Sequence, residues 1–171
     1  MVPERIEREI LIEAPIDVVW AVLTEPEHVA GWFSNSVEID LRPGGEATFD
    51  WREHGPARAW VERVEPPRSF AFRWVRAVGE EQRQDSSTLV EFTLAAEGDQ
   101  TRLRVVESGF PDLPWSEDKK ASYAAENTQG WQLELDEPLE YISRHIRPAP
   151  EQGGQAATTA TSSGRRSPTP P

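Results

Sequence analysis

Apolar and polar positions alternate from the start of the chain. Ile6, Arg8, Ile10 and Ile12 share one face and Glu7, Glu9 and Leu11 the other, which is the two-residue period of a half-buried strand. The period changes at Pro15, which presets φ and lacks an amide hydrogen that a first helical turn leaves unpaired anyway. Val18, Val19, Val22 and Leu23, with Trp20 beside them, then form a helical stripe that ends at Thr24. Asp17 suits the positive end of that helix, and Pro26 opens a second short one.

After Phe33 the period of two returns in short segments separated by turn residues, which predicts an antiparallel meander of five or six strands. Val37 to Leu41 leads into Arg42-Pro43-Gly44-Gly45, and Ala47, Phe49 and Trp51 then alternate with Glu46, Thr48 and Asp50. A turn near His54 and Gly55 precedes a strand on which parity groups Trp60, Glu62 and Val64, closed by Glu65-Pro66-Pro67. In the next strand Phe70, Phe72 and Trp74 occupy every second place, so its inward face is expected to be wholly aromatic. Beyond a polar loop from Gly79 to Ser87, Val90, Phe92 and Leu94 form one face. Gly98-Asp99 turns the chain again, and Leu103, Val105 and Glu107 share a face before Gly109.

The remainder reads as helix. Ser116 is a suitable N-cap with Glu117 and Asp118 in the first turn. Tyr123, Asn127, Trp131, Leu135, Leu139, Ile142 and Ile146 recur every three to four residues as one long stripe. Pro138 interrupts it, because proline removes a backbone bond and clashes with the carbonyl four residues earlier, and a kink is expected between Glu134 and Pro138. A single sheet with one apolar face must be covered, and only this last helix is long enough. The predicted class is α+β: a curved antiparallel sheet wrapped around a long C-terminal helix, with two short helices after the first strand.

Composition bounds what such a domain does. The chain has 171 residues and 37% hydrophobic content, enough for one core. From Pro148 onward no large apolar side chain offsets the entropy of ordering, so residues 1–147 are expected to form the domain and 148–171 a disordered tail. The tail carries Glu151 against Arg165 and Arg166, a charge of +1, which leaves −13 on the domain out of a total of −12. A domain so acidic repels phosphate backbones, and nucleic acid is not an expected partner. The start Met-Val-Pro-Glu-Arg-Ile-Glu-Arg has no apolar run, and nowhere do eighteen apolar residues follow one another, so a cytoplasmic protein with no membrane insertion is expected. Cysteine is absent, which removes disulfides, thiolate ligands and a thiol nucleophile.

Several segments in register carry a family likeness: Glu13 to Phe33, the Arg42–Gly45 turn, Val64 to Trp74, Thr101 to Phe110, and Gly130-Trp131. Over roughly residues 5 to 146 the chain resembles the SRPBCC superfamily, and within it the stand-alone bacterial homologues of the activator of the heat-shock chaperone ATPase. The resemblance implies the helix-grip fold of START domains, with a cavity between sheet and long helix. It leaves the ligand open, since this fold hosts lipid carriers, aromatic polyketide cyclases and hormone receptors.

A cavity so placed would be lined by Phe49, Trp51, Trp60, Phe70, Phe72, Trp74, Phe92, Trp131 and Leu135, with Trp32 and Phe33 near one mouth. The same rings would equally fill an ordinary core. An empty void costs roughly 24 cal/mol per Å³, so a ligand-sized one of about 300 Å³ approaches about 7 kcal/mol and is expected to be wet, filled or collapsed. Glu62, Glu107 and Asn127 are the polar candidates for a wet cavity. A carboxylate there could serve as general acid or base, while the plainer outcome for Glu62 and Glu107 is a strand end, paired with arginine or water. His28, His54 and His145 lie far apart with no ligand spacing, no G-x-S-x-G elbow occurs, and Gly44-Gly45 precedes no helix, so no metal, cofactor or phosphate site is expected. The favoured reading is enclosure of a hydrophobic or aromatic small molecule. A cyclase-like enzyme using a cavity carboxylate and a chaperone-activator-like module, with a protein partner or as a homodimer, are the alternatives.

Overall fold

The alternating segments build seven strands. The computed structural model describes residues 2–52, 55–75 and 83–145. Strand β1 (Arg5–Ile12) leads to helices α1 (Ile16–Thr24) and α2 (Pro26–Trp32). The meander follows as β2 (Ser36–Ile39), β3 (Glu46–Trp51), β4 (Gly55–Glu65), β5 (Ser69–Val75), β6 (Thr88–Glu97) and β7 (Gln100–Ser108). The sheet is antiparallel throughout, in the order β1-β7-β6-β5-β4-β3-β2, so the first strand lies beside the last. Helix α3 (Glu117–Glu134) covers the inner face, and α4 (Glu137–His145) follows it. This is the helix-grip arrangement. The tail from 148, Ile146, His54 and the first part of the Gly79–Ser87 loop lie outside the described residues.

Strand β4 departs from simple alternation. Its pairing with β5 shifts between Val61 and Arg63, a bulge that inserts one residue and reverses which side chains face in. Ala57, Ala59 and Val61 therefore join the core, opposite the inward Phe72 and Trp74. Trp60 and Glu62, grouped by parity with Val64 and expected to line the cavity, lie on the outer face instead. Trp60 stacks under the Arg58 guanidinium at 5.1 Å, and Glu62 pairs with Arg73 at 2.9 Å. That outer face carries a lattice of such pairs, including Glu7 with Arg104 and Glu97 with Arg102. Hydrogen bonds from these arginines hold both carboxyls below their ordinary range.

The helical stripe breaks where proline requires it. Leu135 caps α3, and the chain restarts so that Pro138 occupies the first turn of α4, where its missing amide costs nothing. The exposed carbonyls at this break are met from the sheet. Arg8, on the inner face of β1, donates to the Trp131 carbonyl at 3.0 Å, to the Gln132 carbonyl and to Asp136 Oδ1 at 3.0 Å. A cation at a helix C-terminus is favourable, worth about 1 kcal/mol when partly exposed. Arg8→Met, which keeps the stem and deletes the guanidinium, is expected to lower stability by about 1 kcal/mol in urea denaturation. An unchanged midpoint would show that water caps the break equally well. Helix α4 docks on α2 through His28, whose Nδ1 lies 2.8 Å from the Tyr141 hydroxyl, and through the Tyr141 ring, which lies over Gly31.

Candidate functional site

The inner face is an aromatic cluster organised around one carboxylate. Strand parity turns Thr88 and Val90 of β6 and Val105 and Glu107 of β7 toward the helix, and Glu107 pairs across the strands with Val90 and Ile6. It is completely buried. Four donors converge on it: Trp74 Nε1 at 2.9 Å, Thr88 Oγ1 at 2.6 Å and Asn127 Nδ2 at 3.0 Å on one oxygen, and Trp131 Nε1 at 2.8 Å on the other. Indole and amide N–H groups only donate, so at least three of the four require an acceptor here, the complement of an ionised carboxylate. The strand-end pairing with arginine or water expected for both glutamates thus describes Glu62 and not Glu107.

Helical spacing brings Asn127 and Trp131, four residues apart on α3, over this oxygen pair. The Trp131 ring then lies 5.9 Å from Phe33 at 10° and 5.8 Å from Trp74 at 30°, while Phe33 and Trp74 are 5.9 Å apart at 20°. The three rings are close to parallel. Trp51 meets Phe33 edge-on at 5.3 Å and donates its indole N–H to the Phe33 carbonyl at 2.6 Å.

These four rings form the apolar wall of a cleft of ≈ 740 Å³ between α3 and the end of the sheet carrying β3 and β5. Of the residues read from the sequence, Phe33, Trp51, Trp74, Asn127 and Trp131 line it. Glu107 sits one ring behind. Phe49, Phe70, Phe72, Phe92 and Leu135 are core residues deeper in the grip, and Trp32 is buried with its indole N–H on the Val22 carbonyl. Stacked rings therefore fill the depth of the grip, and the opening that persists lies at its rim, where water reaches it.

The polar rim lies outside the residues that the sequence pattern marks. Asn35 and Arg52 approach from the sheet side, where the Asn35 side-chain oxygen accepts from the Arg52 amide at 2.7 Å. Glu126, Gln129 and Glu134 approach from α3, with exposed Leu133 beside them. Helical spacing from Asn127 and Trp131 could have found the α3 group, and alternation with Val90 could have found Thr88. Nothing in the pattern marks Arg52, because it follows the strand. Among the described residues no histidine and carboxylate cluster offers a metal site, and no helix is long and apolar enough to cross a membrane.

Residues 13–142 match the family model described as activator of Hsp90 ATPase homolog 1-like protein. No curated protein matches the sequence. Among solved structures, the chain is similar to CalU16 from Micromonospora echinospora, at 28% identity and a TM-score of 0.59 over 89% of this chain and 82% of that one. It is similar in fold to the Aha1 dimer from Colwellia psychrerythraea, at 20% identity and a TM-score of 0.61 over 77% and 90%. A third likeness is to DynU16, a protein of the dynemicin biosynthetic locus, at 24% identity and a TM-score of 0.67 over 82% of this chain. The chain spans about half of DynU16, 48% of its length.

Proposed function

The chain belongs to the activator of Hsp90 ATPase homolog 1-like family, and from that premise we propose that it binds a flat, largely apolar small molecule in the cleft beside α3. The observation that carries this is the set of near-parallel rings, Phe33, Trp74 and Trp131, bordering an opening of ≈ 740 Å³, with buried Asn127 beside them and further polar groups at its rim. Small-molecule sites combine such apolar walls with a few orienting polar groups at volumes of about 300–1,000 Å³.

Fluorescence titration and thermal shift against planar aromatic and polyketide-like compounds test the reading. Trp51→Ala is expected to weaken any ligand found by about tenfold or more, since interface tryptophans carry a large share of binding energy. Trp51 is half-buried, so its loss should unsettle the fold less than loss of Trp131. A ligand whose affinity ignores Trp51→Ala binds elsewhere.

The cyclase-like alternative loses the two carboxylates read for it from the sequence. Glu62 points away from the cleft, and both Glu107 oxygens are occupied behind the indole wall. The assembly alternative keeps two supports, the exposed Leu133 on the cleft rim and the dimer of the Colwellia protein. Light scattering at increasing concentration tests it: a homodimer through this rim should dissociate on Leu133→Glu, and a monomer mass at every concentration ends that reading.

A further inference from the structure

We propose that the cleft selects an organic cation, an amine or quaternary ammonium on a flat apolar body, over the matching carboxylate. The inference rests on the cleft being a small-molecule site and adds the charge of its occupant.

The first support is the direction of the indoles. Trp51 directs its N–H to the Phe33 carbonyl, and Trp74 and Trp131 direct theirs to Glu107. All three indole N–H groups of the aromatic wall are thus engaged within the fold and are not offered to an anion. Aromatic faces attract cations through their quadrupole, and tryptophan does so best. An N–H held by a carboxylate also pushes electron density into the ring.

The second support is Glu107 itself. All four of its hydrogen-bond partners are neutral, so none cancels its charge, and it is completely buried. A charge in low-dielectric surroundings acts over a longer range than one in water. Between this charge and the cleft stand the Trp74 and Trp131 rings and the Asn127 amide, all three of which touch Glu107 and line the cleft.

The third is the rim. Glu126 and Glu134 line the cleft from α3, against Arg52 on the sheet side, and the chain as a whole carries −12. Arg52 and Glu126 are both exposed, where water and salt screen them alike, so the excess of negative charge over the whole chain sets the sign of the surrounding field.

Three probes sharing one naphthalene ring separate the possibilities: (2-naphthylmethyl)trimethylammonium, 2-naphthalenemethanol and 2-naphthoate, titrated calorimetrically into the full chain at low and physiological salt. The ammonium is expected to bind about 10-fold tighter than the alcohol, and the naphthoate about 10-fold weaker, with both differences shrinking as salt rises. Glu126→Gln should reduce the ammonium-to-alcohol ratio about threefold. Equal affinities, or naphthoate binding tightest, would overturn the charge selection and leave the aromatic site standing. No binding by any probe at millimolar concentration would overturn both.

Discussion

Replacing Glu107 with alanine is expected to lower the unfolding free energy by about 4 kcal/mol, which for a domain of this size moves the melting temperature down by roughly 12 °C. The carboxylate satisfies two indoles, an amide and a hydroxyl whose side chains are all buried. Each buried donor left without an acceptor costs about 1–3 kcal/mol, and the relief of burying one charge fewer offsets part of the total. Glu107→Gln refines the test. Its carbonyl can take the three donors on one side, but its amide then meets the Trp131 N–H, donor against donor, at a cost of about 2 kcal/mol. Urea denaturation followed by tryptophan fluorescence measures both. Losses below about 1 kcal/mol for the alanine variant would mean that the donors find other partners and that Glu107 does not organise the cluster.

The second large effect is expected at Trp131. Trp131→Ala removes a ring that stacks with Phe33 and Trp74 and meets Phe92 edge-on at 5.8 Å, and it strips Glu107 of one donor. Deleting a buried aromatic costs about 3–5 kcal/mol, and the upper half of that range is expected here. Trp131→Phe keeps the ring volume nearly intact and loses only the N–H, so a drop of about 1–2 kcal/mol is expected. Equal losses for the two variants would assign the whole effect to the hydrogen bond. Because Trp131 and Glu107 share a contact, the double alanine variant should lose less than the sum of the singles, and additivity would deny their coupling.

These effects gather at a place only partly legible in the sequence. The inward sets Phe70, Phe72, Trp74 and Leu103, Val105, Glu107 follow from a period of two that no partner strand can alter without a bulge. On β4 there is such a bulge, and nothing in the local sequence announces it. Trp60 and Glu62 consequently exchanged faces with Val61 and its neighbours, and one of the two candidate carboxylates left the site with them. Glu107 was readable as inward-facing. Its four donors were not, because they come from 19 to 33 residues away along the chain and meet only when β5, β6 and α3 pack over β7.

Periodicity, proline and capping residues are local properties, and they determined the order of elements, the break before Pro138 and the apolar face of the strands other than β4. The cap at that break depended on distance in space. Arg8 shares a strand face with three isoleucines, and only the approach of α3 shows why an arginine belongs there. The cleft is of the same kind. Its walls come from α2, β3, β5 and α3, so its shape, its acidic rim and the charge buried behind it were decided by packing between segments that alternation along a single strand cannot relate.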